Sequence, residues 1–461
     1  MCIPLKDEAD RMTAGERRLA LSLAGIFSVR MLGLFMILPV FALYAEELNG
    51  YTAILAGLAI GIYGLTQGIF QIPMGLLSDR IGRKPVIIGG LIIFALGSVV
   101  AALSDSVYGV IAGRALQGAG AIASAVMALA ADLTREEQRM KVMAMIGMSI
   151  GMAFAVALVV GPVLHGWFGV SGIFWVTAVL ALAGIVIVLW RVPTPVMSRH
   201  HRDTTIEPSW FKNVITEREL LRLDVGVLIL HMIMTATFMA VPLILKNGLN
   251  MEVESHWRVY LPVLLASIVM ILPFIMLAEK KRLMKQVMVG AISTLTLACL
   301  GLAYWHQTVA HMVIMLILFF AAFNLLEASL PSLVAKLAPA AHKGIAMGAF
   351  SSSQFIGAFL GGVMGGWLSQ NYGVEGVFFG NASLAAIWLL LAISMQQPQY
   401  LSSFLLRVGE LDAKRAENLV DKLSAVEGVA EAVVIPEDGV AYLKVDNRKL
   451  DKAALYAFSA S

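Results

Sequence analysis

Ionisable residues inside long apolar stretches are where chemistry is expected, because a charge in hydrocarbon is costly and persists only where it faces protein or water. This sequence has few. Arg30, Arg114, His231 and Glu327 each lie within an apolar run, and Gln67, Gln71, Gln117 and Asn324 add neutral polar groups to the same kind of run. A carboxylate held there can gain or lose a proton near neutral pH, since desolvation favours its neutral form. Glu327, one turn after Asn324, is therefore the preferred proton carrier of a central cavity. Arg30 is either a charge of that cavity or a structural cation solvated by a neighbouring helix, and Arg114 either faces protein or snorkels to the nearer membrane face. His231, Gln67 and Gln71 line the cavity or are satisfied by a neighbour. A second cluster, Gly75, Asp79, Arg80, Gly82, Arg83 and Lys84, sets one carboxylate and three cations on a short glycine-containing turn. Partial desolvation at a membrane surface would make it a charge latch; the plainer reading is that the cations only mark one side of the membrane. HExxH and Walker sequences are absent, so no enzyme and no cofactor are expected. Cys2 and Cys299 lie far apart, which excludes a disulfide framework and a CxxC metal or redox pair.

The elements that position these residues follow from composition. Of 461 residues, 59% are hydrophobic and only 14% charged, with a mean hydropathy of +0.81. Soluble, disordered and fibrous chains are excluded, and a net charge of +3 gives no case for nucleic acid. Apolar runs near 19–45, 53–78, 85–103, 108–131, 141–166, 172–190, 223–246, 257–278, 287–304, 310–335, 344–368 and 374–395 are each long enough to cross a bilayer as a helix. They are too long for the strands of an outer-membrane barrel. The expected fold is an all-α membrane protein of twelve transmembrane helices, here spans 1 to 12 in chain order. With the N-terminus (1–18) inside, 22 Lys and Arg fall in cytoplasmic segments before residue 396, against Lys246 and, at a span edge, Arg258 on the other side. Both termini are thus expected in the cytoplasm, with span 1 a start-transfer helix rather than a cleaved signal.

The polar stretch 191–222, with Pro193, Pro195, His200 and His201, reads as a cytoplasmic linker between six-helix bundles at 19–190 and 223–395. An internal repeat supports the division. The segment from Pro73 aligns with that from Pro273 at an offset of 200, and at the same offset Gly161, Val163, Gly166 and Trp167 meet Gly361, Val363, Gly366 and Trp367. Transporters built from parallel halves have this property and bind substrate between them near the midplane. The glycines 357, 361 and 365 of span 11 read as a packing face. Residues 398–461 change character: a strand over 404–408, a helix over 412–425 capped by Asp412, strands over 429–435 and 440–445, and a helix from Asp451. The β-α-β-β-α order resembles a small α+β ferredoxin-like domain of the metal-carrier type, without its last strand or its cysteine pair. It is either a regulatory module for an unknown ligand or protein, or a passive appendage.

The run Gly75-Leu-Leu-Ser-Asp79-Arg80-Ile-Gly82-Arg83-Lys84 matches the loop signature known as motif A of the major facilitator superfamily. Arg114-Ala-Leu-Gln117-Gly118 resembles its motif B, and Gly161-Pro162-Val-Leu-His165-Gly166 its antiporter-type motif C, with Ala157 and His165 departing from the glycines of that pattern. Over 19–395 the chain is similar to the twelve-helix drug:proton antiporter branch. The resemblance implies that Asp79 meets the N-terminal end of span 11 near Gly344, that Arg83 pairs with Asp132, and that these contacts hold the outward-facing state. It places Arg114 in proton coupling. It also implies a proton-driven exporter of small lipophilic compounds working by alternating access in a bacterial inner membrane, with lipid, substrate and protons as partners. An importing uniporter or symporter shares the fold and motif A but not motif C. A membrane sensor signalling through 398–461 is the third possibility.

Overall fold

The computed structural model describes residues 12–194, 216–339, 343–397, 401–409, 411–436, 439–446 and 448–459. His200 and His201 of the linker, and the Glu437–Asp438 part of the expected turn in the tail, fall outside them.

Helix starts are written in the sequence by small hydroxyl or acidic caps that accept from otherwise unpaired first-turn N–H groups. Thr13 caps Ala14–Phe35 in a capping box with Glu16, and Thr52, Ser106 and Thr308 cap Ala53–Ile81, Val107–Ala119 and Val309–Leu337. Arg83–Ala102, Trp257–Lys280 and Met284–Tyr304 form spans 3, 8 and 9, and Arg218–Leu243 with a π-turn at Ile244–Gly248 forms span 7. Among the described residues, ten helical stretches are long and apolar enough to cross a membrane, two of them 51 and 50 residues long. At 1.5 Å per residue each of these two would run about 75 Å, against a hydrocarbon core of about 30 Å. Each is turned at a glycine in the left-handed region, Gly169 (φ 65°) and Gly373 (φ 71°), and so forms two spans. Spans 5–6 and 11–12 are these hairpins, which brings the helices to the expected twelve.

Two expected spans are not straight. Span 1 breaks between Ala14–Phe35 and Leu38–Tyr44, and span 4 breaks at Gly120 between Val107–Ala119 and Ala123–Leu133. The repeat is also richer than one offset. The two hairpin turns read Phe168-Gly169-Val170-Ser171-Gly172 and Tyr372-Gly373-Val374-Glu375-Gly376, offset by 204. A Cβ at Gly172 or Gly376 would stand 2.2 or 2.3 Å from the Cβ of Phe168 or Tyr372. At the other end of the bundle the offset is 201: Lys84 Nζ donates to Val192 O (2.8 Å), and Lys285 Nζ to Ile393 O (2.9 Å). In each case a cation neutralises the carboxyl end of the helix that closes its half. The single offset of 200 at Gly161 and Gly361 therefore gives way to one that drifts along the helices.

The tail is a three-stranded antiparallel sheet ordered β1-β3-β2, with β1 at Ser402–Arg407, β2 at Val429–Ile435 and β3 at Val440–Val445. Helix Ala413–Ser424, capped by Asp412, packs on β2 around Leu423, Leu443 and Leu455. The sheet sits against the bundle end that carries Arg282 and Leu337, here the sheet end. Arg282 Nη2 donates to Asp446 Oδ1 (2.6 Å), and Lys444 Nζ to Leu337 O (3.2 Å). The opposite end, with Gly169 and Gly373, is the far end.

Toward the far end the halves share their core: Met239 and Val253 lie in one buried cluster with Met36, Phe41, Ala157 and Phe174. Glycines let the helix backbones touch across this interface. A Cβ at Gly57, Gly61 or Gly64 of span 2 would stand 2.0, 2.6 or 2.6 Å from the carbonyl oxygens of Gly362, Phe359 or Phe355 of span 11, widening to 4.0 Å from Ser352 O at Gly68. On span 5, Phe154 and Leu158 pack against residues 223–395, whereas Gly147 and Gly151 on the same face have no such neighbour within 4 Å. The halves are closed at the far end and parted toward the sheet end.

Candidate functional site

One polar group between spans belongs to residues 223–395. His231 of span 7 has Nδ1 3.1 Å from Val227 O, so Nδ1 carries a proton and donates to that carbonyl. Nε2 of the neutral ring is then an acceptor, and the Gln354 amide of span 11 donates to it at 2.8 Å. The same Gln354 nitrogen donates to Glu327 Oε1 of span 10 (3.1 Å), and Glu327 Oε2 lies 3.7 Å from His231 Nε2. One amide thus spends both its protons holding a histidine and a carboxylate apart. Desolvation expected of Glu327 is incomplete, since 39% of its side chain is exposed. Asn324 turns to Ser267 (3.3 Å) rather than joining the group. Some seven residues along span 7 toward the far end, about 10 Å at helical rise, Phe238 meets Phe154 and Phe320 at 6.3 and 6.5 Å between ring centroids, and Phe35 stacks edge-on to Phe154 at 5.1 Å. These rings close the space above the polar group with apolar surface drawn from both halves.

Residues 19–190 hold the two arginines, and both are enclosed by protein. Arg30 is fully buried, donating to Gln67 Oε1 (2.5 Å) and Gly120 O (3.3 Å) between the rings of Tyr63 and Phe94. Its Gly120 partner is the carbonyl that the break in span 4 frees. Arg114, 2% exposed, donates to the carbonyls of Ala59 and Ile60 and to Gln117 Oε1, while Gln117 donates to Ser98 (2.8 Å). Snorkelling is thereby excluded for Arg114. The side chain ties span 4 to span 2, and Tyr63 lies between the two guanidiniums, 5.8 Å from Arg30 and 5.2 Å from Arg114. Gln71 does not join them through its side chain; its carbonyl accepts from Ser124.

At the sheet end Arg83 is the hub. It is 5% exposed, pairs with Asp79, donates to Ser78 Oγ (2.7 Å), and reaches Asp132 Oδ2 at 3.1 Å. Gly82 makes this possible with φ 98°, a left-handed backbone that few side chains tolerate. Gly75 packs on Ser124, and Arg80 is exposed. Asp79 turns to Arg83 and, among the described residues, makes no hydrogen bond to the first turn of span 11, so the expected contact near Gly344 is not made. That agrees with the parted sheet end. The third motif does its work by close packing: a Cβ at Gly161 would stand 2.4 Å from Met36 O at the break in span 1, and one at Gly166 would stand 2.1 Å from Glu254 Cγ. Pro162 lies inside the same helix.

Sequence reasoning missed Gln354, Tyr63, Ser78 and Ser98. Only Gln354 had a signal, as the last of four consecutive polar residues from Ser351 within a glycine-rich span. The glycines 357, 361 and 365 prove to be a packing face, meeting Leu228, Met232 and Ala236 of span 7.

The model of the Major Facilitator Superfamily matches residues 23–361 and 223–403. The inner membrane transport protein YajR of Escherichia coli K12 is 47% identical over 95% of this chain and 96% of its own length. The multidrug resistance protein MdtH of Yersinia enterocolitica is 25% identical over 73% of this chain and 83% of its own. Among solved structures, a bacterial homologue of the human lysosomal transporter Spinster aligns with a TM-score of 0.68 at 11% identity, covering 83% of this chain and 97% of that one. These relatives are carriers rather than enzymes, and with its paired bundles and its Asp79-to-Lys84 loop the chain belongs to the major facilitator superfamily of secondary transporters.

Proposed function

We propose that this chain exports small lipophilic organic compounds in exchange for protons, by alternating access, in a bacterial inner membrane. Its sheet end, tail and both termini face the cytoplasm. Its halves are 19–190 and 223–395, joined by the linker 191–222, and the tail 398–461 is a ferredoxin-like domain lacking a fourth strand. The observation that carries the reading is the His231–Gln354–Glu327 group beneath an aromatic ceiling. Protonation of His231 at Nε2 converts an acceptor into a donor. The Gln354 amide must then rotate to present its oxygen, which withdraws a hydrogen bond from Glu327 and leaves an imidazolium beside that carboxylate. Proton and substrate would thus compete for one charge-bearing site, which is the requirement of exchange. Arg30, Arg114 and Gln117 act as the frame of the first half, not as proton carriers. Asp79, Arg83 and Asp132 form the sheet-end latch, with Asp79 exchanging Arg83 for the start of span 11 when that end closes. The name of the 25% identical relative supports the substrate class.

The test is internal pH in proteoliposomes on adding lipophilic cations and other organic compounds, in wild type and Glu327→Gln. Substrate-triggered proton movement lost in the variant supports exchange at Glu327. Substrate flux that survives in the variant, with no proton movement in either protein, supports a uniporter instead. The contact of Asp446 with Arg282 keeps a sensor role in view, and transport surviving removal of the tail would argue against it.

A further inference from the structure

Two arginines lie inside the first half, and the fold treats them differently. Every nitrogen of the Arg114 fork has an acceptor: Nε donates to Ala59 O, Nη2 to Ile60 O and Nη1 to Gln117 Oε1. Arg30 uses one nitrogen only. Its Nη2 donates to Gln67 Oε1 and Gly120 O, while Nε and Nη1 are buried and, among the described residues, have no hydrogen-bond partner. Two side chains of span 2 beside it, Tyr63 and Gln67, one helical turn apart, share this condition. Both are buried, and neither Tyr63 Oη nor Gln67 Nε2 has a partner among the described residues. The Gln67 amide gains nothing by turning over, since its oxygen is held by Arg30 and the reverse orientation would set N–H against N–H. What gathers here is therefore a set of donors without acceptors: two nitrogens of a guanidinium, an amide and a phenol.

Charge leads to the same place. A guanidinium keeps its proton inside a protein, so burying one at membrane depth calls for a compensating partner. Asp79, Asp132 and Glu16 are taken by Arg83 and Arg135 at the sheet end, and among the described residues no carboxylate bonds to Arg30 or Arg114. The rings of Tyr63 and Phe94, 5.8 and 5.5 Å from the Arg30 guanidinium carbon, offer only their faces. Water would satisfy the N–H and O–H groups and leave the charge unanswered, whereas a small anion answers both. We propose that Arg30, Gln67 and Tyr63 form an internal binding site for one halide ion, chloride under ordinary conditions, held between spans 1 and 2 and separate from the His231–Gln354–Glu327 group. Sulfate and phosphate are a poor fit, because these donor atoms are sealed from solvent and a multiply charged oxyanion gives up far more hydration to reach them. The ion completes the frame of the first half: Gly120 O and Gln67 Oε1 take the Nη2 side of Arg30, and the halide takes the donors that remain.

Proton-coupled export is not assumed, because the test needs neither substrate nor gradient. Melting temperatures of the full chain in detergent are recorded as chloride, and separately bromide, replaces gluconate at constant ionic strength. Either halide should raise the melting temperature by several degrees and saturate, as a ligand does that binds the folded state alone. In Gln67→Glu the carboxylate keeps the acceptor for Arg30 and sets a tethered anion where the amide N–H groups were. That variant should melt in gluconate where wild type melts in saturating chloride, and its response to halide should be lost. Arg30→Met should lose the response and melt lower; if it does not fold, Gln67→Glu still decides. Crystals soaked in bromide should show an anomalous peak beside Arg30 and Gln67. A wild type indifferent to halide would assign these donors to water and overturn the proposal. A full response retained in Gln67→Glu, or bromide bound only elsewhere, would overturn it as well.

Discussion

Gln354 is a neutral residue that decides what two ionisable neighbours can do. Replacing it with Leu keeps the volume but removes both donors, leaving His231 Nε2 and Glu327 Oε1 without the hydrogen bonds that set them apart. Substrate-driven proton movement by Gln354→Leu is expected to fall about tenfold, while stability falls by only about 1–2 kcal/mol, the net worth of lost hydrogen bonds. Flux in proteoliposomes and a thermal melt measure the two separately. At the sheet end, reversing either member of the Arg83–Asp132 pair leaves like charges in a site that is 5% and 1% exposed. Each single reversal is expected to cost about 3–5 kcal/mol, and the double reversal Arg83→Asp with Asp132→Arg to recover a measurable part of the transport lost. Absence of any recovery would show that the two do not act as a pair. Glu327, His231 and Arg83 were legible in the sequence because ionisable groups stand out in apolar runs. Gln354 and Tyr63 were not, because amides and phenols are common in such helices and only the fold shows what they touch. Arg30 and Arg114 were legible as unusual, but their partners were not: Arg30 meets Gly120 O and Gln67, Arg114 meets Ala59 O and Ile60 O, and a sequence does not show which helices are neighbours.

The spans themselves were readable from run length, but the caps Thr13, Thr52, Ser106 and Thr308 that set their starts were not read, and the first helix begins at Ala14 rather than near 19. The breaks at Met36 and Gly120 were not. In span 1 apolar residues continue through the break, where Met36 and Ile37 keep helical dihedrals, Pro39 has no N–H to return to Phe35, and Gly161 of span 5 covers Met36 O. The tail strands at 429–435 and 440–445 were read to the residue because they alternate and are separated by a turn. Glycines that touch backbone and glycines that touch nothing look alike in sequence, yet they should respond oppositely. Gly61→Leu would drive a side chain into Phe359 O, and a loss of about 1–3 kcal/mol with loss of transport is expected. Gly147→Ala and Gly151→Ala, with no neighbour within 4 Å outside their own helix, should keep the fold and gain about 0.5–1 kcal/mol each. Melting curves of the three variants in one detergent compare them directly.

For the molecule as a whole, the tail's described contacts attach it to the second half alone, through Arg282 and Leu337. Arg282 holds a left-handed backbone (φ 57°) at the place where the first half has Gly82 (φ 98°), so the loop equivalent to the latch has become a mooring. The Arg282 guanidinium holds the half-buried Asp446 carboxyl down at about 2 from an ordinary 3.8. A depressed carboxylate contributes to docking above its free value and loses that contribution as pH falls through the bound one. Docking should therefore be unchanged from pH 7 to pH 5, weaken only toward pH 2, and weaken at neutral pH when salt is raised to about 1 M, where screening acts within about 3 Å. Hydrogen exchange at β3 measures this, and Asp446→Asn should mimic the acid state at neutral pH. The glycine contacts between spans 2 and 11 have a mechanical meaning as well. They end near Gly64, fifteen residues before Asp79, which is a lever arm of about 22 Å at helical rise. With backbones touching at that fulcrum, a rocking of about 10° displaces the latch by about 4 Å. That is enough to make or break an ion pair while the fulcrum itself hardly moves, so the carrier needs no bent helix to change which side it opens.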